Sequence, residues 1–353
     1  MKFGAIVVLF VVLAAAAASA SEWTETVSLK GDLRYRHEQI DQQGESIRNR
    51  QRMRARLTLT AEPEDNLELG FRLVSGSDDP VSSNQTLDGA FATKDIMLDR
   101  AYFTWTHAET GATVTGGKMR NPFYVPAKSE LIWDSDLSPE GLELAHRFGE
   151  GDTKFFVRGA GLWLDERKSS ANAALFGGQA GLEHKTGGVQ FTVGGSYFNY
   201  TKLDGPLYDD DFFGNTSSDD AFMKDFNLIE VFVELGFKAG KTPITAFADF
   251  VSNQEADTAE QAYLFGVKLG KAKKPGSLEA MYNYREVQKD AVVGVLTDSD
   301  FRGGGTDGKG HEFGFGYQLS DQSKFAFSYF INSLGLENGT DFNRLMADLQ
   351  FKF

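Results

Sequence analysis

The sequence contains no cysteine, only eight prolines, and fewer basic than acidic residues, 36 Lys and Arg against 50 Asp and Glu. Without cysteine, the chain can form neither a disulfide-stabilised scaffold nor a cysteine-ligated zinc or iron–sulfur site. The deficit of basic residues argues against a general nucleic-acid binder, so we expect no nucleic-acid partner. The only long apolar run lies at the N-terminus, which argues against a helical membrane protein.

The N-terminal apolar run has the form of a secretory signal. Lys2 supplies the positive start, an uncharged apolar stretch follows, and the small residues Ala18 and Ala20 mark a cleavage site. The run is shorter than the roughly 18–20 residues that a membrane-spanning helix needs. We therefore predict that residues 1–20 are a signal peptide cleaved after Ala20, and that residues 21–353 form the exported protein.

After the signal, apolar and polar residues alternate in segments of about ten residues, which is the pattern of transmembrane β-strands. One face of these segments is rich in Phe, Tyr, Leu and Val, and the other holds small, polar and charged residues rather than a core. We count sixteen strands. Fourteen or eighteen remain alternatives, because the segments near 112–119, 141–148 and 243–252 are weak.

Short turns and long connections also alternate along the chain. The long connections span residues 75–94, 120–140, 201–224 and 288–309. Outer-membrane barrels have short periplasmic turns and long outer loops. A soluble β-sandwich or β-helix would also alternate, but its water-facing side would not carry large apolar residues on nearly every strand. We therefore predict an all-β fold, a transmembrane antiparallel β-barrel of about sixteen strands in the bacterial outer membrane.

A row of five arginines is the most specific feature of the sequence. Alternate residues of the second predicted strand are all arginine, namely Arg48, Arg50, Arg52, Arg54 and Arg56. Same-face residues on a strand are about 6.7 Å apart, so the row is roughly 27 Å long and matches an apolar band about 25 Å tall. Facing lipid, it would cost on the order of 10 kcal/mol. The row therefore predicts a water-filled interior.

Further arginines share the predicted inward face and make one part of the wall cationic. They are Arg34, Arg36, Arg72 and Arg100. Rows of Arg or Lys draw anions through pores, so a conducting role is the favoured interpretation. The alternative is that these side chains pair with inward acids and only hold the barrel together. Candidate inward acids are Asp32, Glu38, Glu143, Glu230, Glu234, Asp249, Glu279 and Asp348.

The third long loop, residues 120–140, is expected to fold inward and constrict the pore. It carries the acids Glu130, Asp134, Asp136 and Glu140, and three prolines stiffen it. Folded inward, its acids would face the arginines across a narrow opening and create a transverse field. The alternative is an ordinary surface loop.

Several stretches resemble the putative-porin family of Gram-negative outer membranes, which is distantly similar to phosphate-selective porins. They are RNRQRMRARLTLTA (48–61), LDRAYFTW (98–105), GGKMRNPFY (116–124) and WDSDLSPEGLEL (133–144). The C-terminal MADLQFKF, ending in Phe353, resembles the signal read by outer-membrane assembly machinery. The resemblance implies passive diffusion of small hydrophilic solutes and ions, a homotrimer as one assembly, and no catalytic residues.

We therefore predict a diffusion channel with an arginine-lined lumen and an anion preference. One alternative is a substrate-specific channel for phosphate or carboxylates, and another is a non-conducting structural or adhesion barrel. We expect no enzyme activity, because the five histidines are scattered and no triad order is visible. We also expect no cofactor and no protein-bound metal. The acidic outer loops are expected to be solvated, or bridged to lipopolysaccharide by divalent ions.

Overall fold

A computed structural model describes residues 26–218 and 221–353, and the predicted signal peptide and its cleavage site lie outside these residues. Within the described residues, no helix is long and apolar enough to span a membrane.

Sixteen strands form the wall of the molecule. Their bounds are β1 Val27–Gln42, β2 Arg48–Glu64, β3 Leu67–Ser75, β4 Ile96–Thr106, β5 Thr113–Lys118, β6 Glu140–Phe148, β7 Thr153–Asp165, β8 Ala173–Thr186, β9 Val189–Thr201, β10 Asn227–Ala239, β11 Thr242–Asn253, β12 Gln261–Gly270, β13 Leu278–Val287, β14 Gly308–Gln318, β15 Ser323–Leu334 and β16 Thr340–Lys352.

The sheet closes on itself because the first and last strands pair. Every strand is antiparallel to its neighbours in sequence, and β1 pairs with both β2 and β16. Such closure leaves no unpaired strand edge, which the hydrocarbon core of a membrane would not tolerate. The prediction of a sixteen-stranded antiparallel barrel is confirmed. The three weak segments are strands β5, β6 and β11.

The predicted alternation separates the two faces of the wall. On β1, the outward-facing Leu29 and Leu33 are 57% and 45% exposed, whereas the inward-facing Arg34 and Arg36 are buried. Residues that lie directly opposite each other on antiparallel strands share a face, so the pairing of Arg36 with Arg52 carries this assignment to β2. The apolar surface therefore surrounds the barrel, and the charged side chains lie inside it.

The connections are sorted between the two rims. The seven at one end are short, as between β2 and β3 or between β8 and β9, and we call this end the turn rim. The eight at the opposite end, the loop rim, include four long ones. These are loop 2 (76–95), loop 3 (119–139), loop 5 (202–226) and loop 7 (288–307).

The inside of the barrel is not polar throughout. Near the loop rim, Trp133 of loop 3 and Val293 of loop 7 belong to one apolar cluster with the inward-facing Phe198 and Leu228 of the wall. The expectation that the inward face carries no core is therefore wrong at this level. Long loops that fold into a barrel bring their own apolar side chains, and these are stabilised only against an apolar wall.

Inward-facing aromatic rings lie flat on glycines of the neighbouring strand. Gly181 lies opposite Phe156, and a Cβ atom added to Gly181 would be 2.2 Å from Cζ of that ring. Only glycine leaves room for this contact. Gly178 lies on the same strand, but a Cβ added there would meet nothing within 4 Å.

Substituting Gly181→Ala should lower the free energy of unfolding by about 1–3 kcal/mol, because the new methyl group displaces a buried ring. Gly178→Ala is the matched control and should change it by less than about 0.5 kcal/mol. Denaturant unfolding in detergent micelles measures both. Equal stability of the two variants would contradict the proposed ring–glycine contact.

Candidate functional site: the arginine-lined lumen

The inward-facing arginines of five consecutive strands form a continuous cationic surface, which we call the arginine arc. The arc contains the nine predicted residues and adds Arg344 of β16. Its members are Arg34, Arg36, Arg48, Arg50, Arg52, Arg54, Arg56, Arg72, Arg100 and Arg344. Strand register brings them together, because β16, β1, β2, β3 and β4 follow one another around the barrel.

Acidic side chains of the wall pair with much of the arc. Arg36 binds both carboxylate oxygens of Asp348, from Nε at 2.7 Å and from Nη2 at 2.9 Å. Such two-point contacts are the strongest type of arginine–carboxylate pair. On the next strand pair, Asp32 accepts a hydrogen bond from Arg56 Nε at 2.8 Å. The pairing of inward acids with arginines is therefore present in part of the arc.

Among the described acids of the wall, Glu38 contacts the largest number of arginines. Its side chain is fully buried and contacts the guanidinium groups of Arg50, Arg52 and Arg344, at 3.3 Å for Arg52 and 2.7 Å for Arg344. One carboxylate thus holds three guanidinium groups that would otherwise repel one another.

Acids from two loops reach the arc from inside the lumen. Asp136 of loop 3 lies 3.3 Å from Arg54 and 3.5 Å from Arg56. Asp300 of loop 7 lies 3.3 Å from Arg36 and 3.0 Å from Arg344. These contacts tie both loops to the same side of the barrel.

Pairing does not neutralise the arc. Among the described residues, only six carboxylates contact its ten arginines. These are Asp32, Glu38, Asp99, Asp136, Asp300 and Asp348. Because arginine stays protonated in proteins, this side of the lumen carries an excess of positive charge.

Of the four predicted constriction acids, only Asp136 contacts the arc. Asp134 instead accepts a hydrogen bond from the backbone N–H of Ser299 in loop 7, at 2.9 Å. Glu130 accepts one from the backbone of Ser135 within its own loop, at 2.7 Å. Glu140 begins β6, on the outward-facing side of the wall, and pairs with Lys118 at 2.7 Å.

Their surroundings move the pKa values of these loop acids in different directions. Burial, together with Asp298, raises the pKa of both Glu130 and Asp134 well above its usual range. Burial also acts to raise the pKa of Asp136, but Arg54 and Arg56 outweigh it, so that this pKa is lowered. Asp136 therefore stays ionised at neutral pH.

A second ionic centre lies outside the arc and was missed in the sequence. Arg285 of β13 is buried, contacts Asp298 and Glu312 at 2.7 Å each, and stacks on Phe301, 4.7 Å from the ring centroid. It also donates a hydrogen bond to the backbone oxygen of Glu130. Arg285 thus holds loops 3 and 7 together. Asp298 lies in loop 7, directly after β13, and Glu312 lies on the neighbouring strand β14. Only the contact with Glu130 joins residues 155 positions apart, and no local pattern indicates that contact.

Arg344 was missed although a local signal exists. It alternates with the outward-facing Leu345 and Leu349 and shares the inward face with Asp348, which was predicted as an inward acid. Strand alternation alone would therefore have placed it in the lumen.

Two separate cavities open inside the barrel. The outer cavity, of about 400 Å³, opens near the loop rim and is lined by Arg48, Arg50, Arg52 and Arg344 among others. The inner cavity, of about 560 Å³, lies under the loop and is lined by residues that include Lys268. The two cavities have no lining residue in common. The described residues contain no cluster of three or more metal-ligating side chains.

Solved structures with the same fold are outer-membrane proteins. Pseudomonas putida OprB, in a high-pH structure, is 12% identical, with a TM-score of 0.64 over 94% of this chain and 95% of its own. A loop-deletion mutant of Vibrio cholerae OmpT is 12% identical, with a TM-score of 0.53 over 93% and 100%. A mutant of Rh. blastica porin is 13% identical, with a TM-score of 0.53 over 93% and 100%. No curated protein sequence matches the chain.

A closed sixteen-stranded barrel with apolar outer and charged inner surfaces is the architecture of an outer-membrane porin. The model of the family described as "Putative porin" matches residues 41–233 and 227–353, so the chain belongs to that family. It is an outer-membrane channel protein, and the resemblance found in the sequence is confirmed.

Substituting Glu38→Gln should destabilise the barrel by about 3 kcal/mol, because one buried and two partly buried guanidinium groups lose a shared counter-charge. The matched control is Glu183→Gln, which breaks an ion pair with the exposed Arg147 and should cost less than about 1 kcal/mol. Denaturant unfolding at neutral pH compares them. A Glu38→Gln variant as stable as the control would show that Glu38 does not hold the arc together.

Proposed function

We propose that the channel passes small hydrophilic solutes by passive diffusion and favours anions. The observation that carries the proposal is the imbalance of the arc, where ten arginines meet six carboxylates among the described residues. A positively charged wall raises the local concentration of anions and lowers that of cations. The chemistry needs no cofactor or energy input, and we propose no catalytic role.

Loop 3 supports a constriction role in this proposal. Its apolar residues Leu131, Ile132 and Trp133 are almost fully buried inside the barrel, and Asp136 of the same loop contacts the arc. The space between this loop and the arc would therefore select solutes by size. The sequence predicts an electric field between the loop acids and the arginines across an open gap. At Asp136 there is no such gap, because its carboxylate forms ion pairs with the arginines.

Export and assembly complete the proposal. We expect the chain to be cleaved after Ala20, inserted by the outer-membrane assembly machinery through its C-terminal signal, and surrounded by lipid and lipopolysaccharide. Phe353 exchanges two backbone hydrogen bonds with Gly31, of 3.0 and 3.1 Å, where the barrel closes. A homotrimer is the assembly that the family resemblance implies.

Substituting both Arg52→Gln and Arg54→Gln should lower the anion-to-cation permeability ratio at least about twofold, because the lumen loses two charges within a Debye length of the permeating ions. The reversal potential in a KCl gradient across a planar bilayer measures this ratio. The matched control removes two charges from an exposed connection at the turn rim, with Lys273→Gln and Lys274→Gln.

An unchanged reversal potential in the arginine variant would show that the arc is only structural. The same recordings separate the alternatives. Ohmic, stepwise currents support a diffusion pore, whereas block by low concentrations of phosphate or one carboxylate supports a substrate-specific channel. Absence of current from the folded protein would leave a structural barrel.

A further inference from the structure

We propose that Arg54 and Arg56 form a binding site for small oxyanions in transit, and that Asp136 is a tethered competitor that occupies this site at rest. The inference rests on the proposed anion-conducting function and deepens it. A permeating carboxylate or phosphate would replace the Asp136 carboxylate on the two guanidinium groups and would be replaced by it in turn.

The two arginines are approached by carboxylates from two sides. From the wall, Asp32 contacts Arg56 at 2.8 Å and Arg54 at 3.4 Å. From loop 3, a single oxygen of Asp136, Oδ1, lies 3.3 Å from Arg54 and 3.5 Å from Arg56. Asp32 is therefore a fixed part of the wall, whereas Asp136 faces the arginines from the lumen.

The contact made by Asp136 has the geometry of an exchangeable one. Its distances exceed the 2.7–2.9 Å typical of strong charge-assisted hydrogen bonds, unlike the shortest contact of Asp32. The second carboxylate oxygen, Oδ2, accepts a hydrogen bond from the hydroxyl of Ser83 at 3.1 Å, which would hold the side chain once it leaves the arginines. An incoming anion restores the lost charge, so the exchange leaves no guanidinium group unpaired.

The exchange needs only a side-chain rotation, because the loop is fixed on either side of Asp136. Before it, the backbone N–H of Asp134 donates to the oxygen of Leu296 at 2.8 Å. After it, the hydroxyl of Ser138 accepts a hydrogen bond from Arg100 at 3.0 Å. The backbone of the loop is thus held within reach of the arginines, and only the side chain of Asp136 needs to turn.

Cavities near the loop rim extend as far as Asp136. A cavity of about 310 Å³ is lined by Asp136 and Ser83, and it shares Asp79 and Ser82 with the outer cavity. The outer cavity is itself lined by Arg48, Arg50 and Arg52. Arg54 and Arg56 continue the same row along β2, so an anion passed along the arginines from the mouth would next meet the pair that Asp136 occupies.

The test compares Asp136→Asn with Asp32→Asn in planar bilayers, with potassium acetate or potassium phosphate as the only electrolyte. Both changes are nearly isosteric and remove one negative charge from the same two arginines. Asp136→Asn removes the competing carboxylate from the lumenal site, so the anion concentration that gives half-maximal conductance should fall. The expected fall is about fivefold, which corresponds to the free energy of one partly screened ion pair. Asp32→Asn should shift it less than about twofold, because the competitor remains.

A second variant allows a negative charge to be put back at position 136 by chemical modification. Because the chain contains no cysteine, Asp136→Cys carries a unique thiol. Coupling it to an anionic sulfonate reagent should return the half-maximal concentration toward that of the unmodified chain, and coupling it to a neutral reagent of similar size should not.

The outcomes separate this inference from the proposed function. The inference is supported, for each anion that shows the effect, if the half-maximal concentration falls more with Asp136→Asn than with Asp32→Asn. It also requires that only the anionic reagent on Asp136→Cys restores the original value. Equal shifts in the two variants, in conducting channels, would overturn the competitor role alone. Absence of current from all the proteins would overturn the proposed function and this inference with it.

Discussion

The structure depends on where a row of charged guanidinium groups can be placed in a membrane. Each arginine on the lipid-facing side of a barrel would cost about 2–4 kcal/mol near the midplane. Since strand alternation fixes all five arginines of β2 on one face, that face must line water, and the apolar face must then contact hydrocarbon. Strand pairing extends the same orientation from strand to strand. Closure between β1 and β16 completes a wall whose outer surface is apolar and whose inner surface carries the arginines.

A cationic wall inside a barrel must be partly neutralised, and this requirement explains much of the interior. Wall acids such as Glu38 hold neighbouring arginines together, while Asp136 and Asp300 bring loops 3 and 7 to the same surface. Once inside, the loops pack their apolar residues against Phe198 and Leu228. In the proposed function, the charges that would attract anions also hold the loops that would narrow the path of the anions, so that selectivity and constriction would have a common physical origin.

Local periodicity was sufficient to predict the strands, the faces and nine of the ten arginines of the arc, because a strand's alternation is a property of neighbouring residues. It could not identify the contact of Asp134 with Ser299 or that of Arg285 with Glu130, since each joins residues far apart in sequence. The apolar core near the loop rim was missed for the same reason, because Phe198 and Leu228 interrupt the polar face only where loops cover them. Glu140 was assigned to loop 3 by proximity, although it belongs to the outward-facing side of β6.

The most direct test of this orientation is the water accessibility of two adjacent residues of β2. Single-cysteine variants Arg52→Cys and Met53→Cys, made in a chain without natural cysteine, can be reconstituted in lipid vesicles and treated with a charged, membrane-impermeant thiol reagent. We predict rapid labelling at position 52 and protection at position 53, because the first side chain faces the lumen and the second faces lipid. Labelling at position 53 with protection at position 52 would contradict this orientation.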